Sequence, residues 1–98
     1  MIIVTGEILA KPETRDDIII LGQRHSARSR AEPGCLLHEL HSNTENPCKL
    51  VFVEHWADED SLRRHFAVPD SRAFARAVSK LASEPPIMNL YHAKALPV

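Results

Sequence analysis

An α+β domain of order β-α-β-β-α-β is what this sequence predicts, and three observations predict it. Runs of apolar and β-branched residues at 1–10, 35–42, 49–56 and 87–95 read as four strands. The stretches 13–31 and 58–81 carry their apolar residues at helical spacing instead. Turn residues punctuate the joints: Lys11-Pro12, Pro33-Gly34, the run from Asn43 to Pro47, and Pro85-Pro86.

The first strand rests on Ile2, Ile3, Val4, Thr5 and Ile8, and Lys11-Pro12 ends it. A helix over Glu13 to Ala31 follows. Glu13, Asp16 and Asp17 open it and Arg24, Arg28 and Arg30 close it, an order that suits the helix dipole. Ile18, Leu21, Gly22 and His25 share one face of that helix. In the second strand, Leu36, His38 and Leu40 fall on one side and Leu37, Glu39 and His41 on the other. The third strand centres on Val51, Phe52 and Val53 and ends at Trp56. Asp58 is suited to cap a short helix with Leu62, His65 and Phe66 on one face. Pro69 breaks it, and Asp70 is placed to cap a second helix bearing Phe74, Ala77, Val78 and Leu81. Ile87 to Ala95 forms the last strand.

This is the split βαβ arrangement, with helices over one face of a four-stranded antiparallel sheet. Both faces of the third strand carry apolar side chains, so a lone chain would leave an apolar face in water. A homodimer packed sheet to sheet is therefore expected. The 98 residues predict one domain, 1–98, with no internal repeat or linker.

Composition excludes several classes. Hydrophobic residues make up 44% and charged residues 26%, with a formal net charge of −1. No basic stripe invites a nucleic-acid backbone. The longest N-terminal apolar run, Met1 to Val4, is too short for a membrane span or a signal peptide, so a cytoplasmic location is expected. There is no Gly-rich phosphate loop and no nucleophile elbow, so no nucleotide cofactor is expected. Cys35 and Cys48 sit at opposite ends of the predicted hairpin, ~25 Å apart at strand rise. A disulfide needs Cα atoms within about 7 Å, so no bridge is expected.

Pro33-Gly34-Cys35-Leu36, Phe52-Val53-Glu54-His55-Trp56, Leu62-Arg63-Arg64-His65-Phe66, Pro69 and Phe74 together resemble the antibiotic biosynthesis monooxygenase (ABM) family. The shared pattern is a glycine before the second strand, Glu-x-Trp closing the third, a helical histidine nine residues on, and a later aromatic. The resemblance implies a ferredoxin-like, dimeric α+β barrel with a cavity between sheet and helices in each subunit. It also implies cofactor-independent oxygenation of a small phenol or quinol. Two departures argue against the haem-degrading branch: Val78 stands where that branch has its iron ligand, and Thr5-Gly6-Glu7 where it has an asparagine. Family members often carry an aromatic at the place of His38.

Trp56 offers a stacking wall for a planar substrate, or simply a core tryptophan. His65 points inward with Leu62 and Phe66, and an imidazole can take a phenolic proton near working pH. His38 and His25 are further candidates to meet the cavity. Glu54 on a central strand is either a paired structural carboxylate or a base. Arg72 could meet an acidic group on the substrate, and Phe66 and Phe74 could line the pocket. His41, His55 and His92 read as surface or interface residues. No pair of histidines shows metal-ligand spacing on a single element, so no metal is expected. Two readings compete with the oxygenase: a non-oxidative enzyme with a polar, His-lined cavity, and a non-catalytic dimeric binding or stress protein with a filled one.

Overall fold

The β-branched first strand, β1 (Ile2–Leu9), and the third, β3 (Lys49–Trp56), lie side by side at the centre of the sheet. Their edges are covered by β2 (Cys35–Ser42) and β4 (Ile87–His92), giving the order β2-β3-β1-β4 with every neighbour antiparallel. Helices α1 (Arg15–Ser29), α2 (Glu59–Ala67) and α3 (Pro69–Leu81) pack on one face. The computed structural model describes all 98 residues. None of its helices is long and apolar enough to cross a membrane.

Side chains alternate across the central strands, as the two-residue period requires. Ile2, Val4 and Ile8 of β1 and Leu50, Phe52, Glu54 and Trp56 of β3 turn toward the helices and are buried. Ile3, Thr5, Val51 and Val53 turn to the opposite face, which nothing in this chain covers. The helix-side core falls into two clusters. One joins Ile8, Ile18, Leu50, Phe52 and Val78, and the other joins Ile2, Val4, Trp56 and Leu62. Along β3, Glu54 sits between them.

The structure moves several predicted boundaries. Helix α1 starts at Arg15 rather than Glu13, because Lys11 to Thr14 forms a turn. Thr14 Oγ1 accepts from the Lys11 N–H (3.2 Å) and donates to the Leu81 carbonyl (2.8 Å). Asp58 caps α2 as expected, accepting from the Ser61 N–H at 2.8 Å. Asp70 does not cap α3. Extended Val68 ends α2 and starts α3 at once, so Pro69 takes the first helical position, where its missing N–H is harmless, and Asp70 falls inside the first turn. The return from β3 to β4 thus carries two helices.

Strand β2 departs from simple alternation. Cys35 pairs with Trp56 and Leu37 with His55, leaving Leu36 as an extra, bulged residue that is 60% exposed. Leu36 therefore does not share the inner side with His38 and Leu40. Cys35 takes that place and packs beside Trp56 and Leu62. Both cysteines are free.

Candidate functional site

Four elements converge where the two apolar clusters meet. α1 brings His25. Three residues earlier, Gly22 lets the helix lie against the sheet: a Cβ there would be 2.6 Å from Leu40 Cδ2 and 3.1 Å from Phe52 Cζ. β2 brings His38, turned inward by the bulge and opposite Glu54 in the sheet register. α2 brings His65 on the buried face it shares with Ser61 and Leu62. All four side chains are nearly inaccessible, at 6% for His25, 0% for His38, 5% for Glu54 and 3% for His65.

Buried polar groups need partners, and these find them mostly among side chains. The Trp56 indole N–H donates to Glu54 Oε1 at 3.0 Å. His38 Nδ1 is 2.8 Å from Ser26 Oγ, and His65 Nδ1 is 2.9 Å from Glu32 Oε1. Arg28 donates to His25 Nδ1 at 2.9 Å and to Ser71 Oγ at 3.0 Å. Glu54 Oε1 lies 3.4 Å from His38 Nε2 and 4.0 Å from His65 Nε2. The first of these contacts is an ion-pair distance rather than a well-formed hydrogen bond, and His38 Nε2 is buried with no closer partner.

Two groups titrate away from their ordinary range. Burial pushes the His25 imidazole down to about 3, helped by His38, His65 and Arg28. His25 is therefore neutral, and since Nδ1 accepts from Arg28, its proton sits on Nε2. Burial alone would raise the Glu54 carboxyl. His38, the Trp56 N–H and His65 outweigh it and hold the group below its usual range, as a carboxylate.

A cavity of about 300 Å³ opens beside this cluster, between the β1–β4 half of the sheet and α3. His25, His65 and Glu54 form its polar end, while Phe52, Phe66, Phe74, Ile8, Val78 and Met88 form apolar walls. Phe74 stacks on His25 with ring centroids 4.1 Å apart and 4° between planes. Arg72 stands at the rim, exposed to solvent.

Of the predicted site residues, His65, His25, Glu54, Phe66, Phe74 and Arg72 all meet the cavity. Trp56 and His38 do not. Each is wholly buried behind its wall, so Trp56 meets His65 (centroids 4.5 Å apart) and Glu54 rather than a ligand. His41 and His92 lie at the surface with Glu39 and Glu59 as partners, and His55 faces the uncovered side of the sheet. Glu32 and Ser26 are not foreseen from the sequence, and Arg28 reads there only as a charge closing the first helix. Ser26 continues the Ile18–Gly22 stride by four residues and could have been found. Glu32 lies in the turn after α1, where periodicity is silent.

The sequence profile of the family described as antibiotic biosynthesis monooxygenase matches residues 1–77. This chain belongs to that family. An uncharacterized Synechocystis protein, sll1783, is 29% identical over 90 residues, which are 92% of this chain and 61% of that protein. The chain thus spans less than two thirds of that relative. YcnE of Bacillus subtilis, provisionally described as a monooxygenase, is 28% identical over 85 residues, 87% of this chain and 90% of YcnE. Among solved structures, a conserved protein from Methanosarcina mazei superposes with a TM-score of 0.91 at 26% identity, covering 95% of this chain and 92% of that one. A Deinococcus radiodurans protein assigned to the same family on provisional grounds reaches 0.94 at 24%, covering 100% and 98%. In this ABM chain Val78, at the haem ligand's place, packs in the apolar core.

Proposed function

We infer that this ABM protein is a cofactor-independent monooxygenase for a small phenol or quinol, with His65 as the base. One observation carries the reading: an aromatic-walled cavity ends on an imidazole whose far nitrogen is held by a carboxylate. His65 Nδ1–H donates to Glu32 Oε1, which leaves the Nε2 lone pair on the cavity side, toward Glu54. A phenol lying between Phe52, Phe66 and Phe74 can hand its proton to that nitrogen. Glu32 then stabilises the imidazolium, the role of the third group in a nucleophile–base–carboxylate relay. His25 cannot be the base, since its protonated form is disfavoured and its lone pair is taken by Arg28. Its Nε2–H suits it to donate to a substrate oxygen instead.

The chemistry then balances without a cofactor. The phenolate passes one electron to O₂, the two radicals combine at a ring carbon, and the resulting hydroperoxide loses water. Overall, one phenol and one O₂ become one quinone and one H₂O. At about 300 Å³ the cavity lies at the low end for small-molecule sites, which supports one or two rings. The three phenylalanine walls weigh against the non-oxidative reading, which calls for a polar lining.

Trp56 and His38 enter this reading as positioning residues, holding Glu54 from behind the wall. A homodimer through the sheet face bearing Ile3, Val51 and Val53, with the whole of 1–98 as one ABM domain, belongs to the same proposal. Oxygen-electrode measurements with a panel of phenols and quinols test it. Uptake is expected with at least one, matched by quinone formation and lost in His65→Ala. No uptake above the uncatalysed rate with any of them would overturn the reading.

A further inference from the structure

We propose that His25, His38 and His65, with the Glu54 carboxylate beside them, form a binding site for one divalent transition-metal ion of the zinc type. The site uses the same cluster as the oxygenase reading but does not rest on it: zinc on His65 Nε2 would occupy the lone pair that takes the phenolic proton, so the zinc-bound chain is expected not to oxidise phenols.

Three features of the cluster carry the assignment. One ring nitrogen of each of the three histidines lies within 4.8 Å of the others'. Zinc–imidazole bonds of about 2.05 Å place two tetrahedral ligand nitrogens roughly 3.3 Å apart. Reaching that spacing takes movement of each ligand atom by about an ångström. Glu54 Oε1 lies outside that trio but borders it, 3.4 Å from His38 Nε2 and 4.0 Å from His65 Nε2. His38 Nε2 is fully buried and has no polar neighbour closer than Glu54 Oε1 at 3.4 Å. A metal ion would satisfy it.

The outer groups are those a metal site requires. Ligating histidines are usually held through the other ring nitrogen by a carboxylate or another acceptor. His65 Nδ1 has Glu32 Oε1 at 2.9 Å and His38 Nδ1 has Ser26 Oγ at 2.8 Å, so both Nε2 atoms turn to the centre. The Trp56 N–H fixes Glu54 Oε1 at 3.0 Å. Ligation by His25 Nδ1 requires the Arg28 donor to let go, and Arg28 keeps Ser71 Oγ at 3.0 Å when it does. The cavity beside His25, His65 and Glu54 gives an entry path. Three imidazoles and one carboxylate suit zinc, copper, nickel or cobalt, not magnesium or calcium, which take oxygen donors.

Equilibrium dialysis of the full chain against Zn²⁺ and, separately, Mg²⁺ tests this. One tightly held Zn²⁺ per chain and no Mg²⁺ is the expected result. His38→Ala and His65→Ala should each lower the zinc affinity at least tenfold, while the surface double variant His41→Ala/His92→Ala should not. Histidine ¹⁵N NMR of the unaltered protein decides the matter even where a buried variant fails to fold. On Zn²⁺ addition the rings of His25, His38 and His65 should shift together, and those of His41, His55 and His92 should not. Zinc that stays bound in folded triad variants, shifts confined to the three outer histidines, or no stoichiometric binding would each overturn the assignment. None of these readouts uses oxygen uptake, so failure here leaves the oxygenase reading standing, and the reverse holds too.

Discussion

Acidification should destabilise this protein well above the pH at which carboxylates protonate, and His25 is the cause. In the folded chain burial holds its imidazole at about 3, against 6.5 for the free side chain. Below pH 6.5 the unfolded chain therefore takes up a proton that the folded chain refuses until roughly pH 3. The stability is fully present above pH 6.5 and is lost as pH falls through that window. Each pH unit costs about 1.4 kcal/mol, so the full window costs about 5 kcal/mol. Between pH 7.5 and 5.0 the loss is about 2 kcal/mol. With a urea slope of about 1–3 kcal/mol per molar, the unfolding midpoint should fall by about 1 M. Chemical unfolding at the two pH values, at one protein concentration, measures this. His25→Leu removes the titration while roughly keeping the volume beside Phe74. The variant starts less stable, having removed one of Arg28's two acceptors, but should lose about 2 kcal/mol less on going to pH 5.0. Equal losses in the two proteins would show that His25 is not the group responsible.

Three further outcomes are expected. Trp56→Phe removes the N–H that buried Glu54 accepts at 3.0 Å, so unfolding experiments at neutral pH should show a loss of about 1–3 kcal/mol. NMR titration of the same variant should find the Glu54 carboxyl moved up, because a donor favouring its charged form is gone. Gly34→Ala should cost about 3 kcal/mol or more, read as a fall in Tm, since Gly34 has φ +82° and a Cβ there would run into Ser61 Oγ. Glu32→Gln should lower kcat/KM for oxygen uptake by about 10–100-fold with little change in Tm, shifting the acid limb of the pH–rate profile. An unchanged profile there would remove Glu32 from the relay.

Features of this fold are legible in the residues to the extent that the signal for each is local. β2 and β3 end where expected because alternation and an Asn/Pro turn are encoded within a few residues. Asp58 was legible as a cap for the same reason, while Asp70 was not, since Val68 ends one helix and begins the next in a single extended residue. At the site, His65 was readable from its helical face and Glu54 from its strand. The convergence of His25, His38 and His65 was not, because they sit on three elements whose meeting depends on Gly22 and on the β2 bulge. Trp56 could be read as wall or as core, and only packing decides between them. Glu32 faces His65 across 33 positions of chain, and no spacing rule reaches that far.

The ripple at Leu36 has a bearing on how such chains can vary in length. Cys35 and His38 point the same way although their numbers differ in parity, since position 36 is counted in sequence but skipped in the ladder. A relative lacking that residue would present its imidazole from a plain strand in the same orientation. Gaining or losing one residue anywhere between 38 and 42 would instead throw half the strand out of step. Alignments across this edge should therefore be anchored on the inward histidine and allowed to gap just before it.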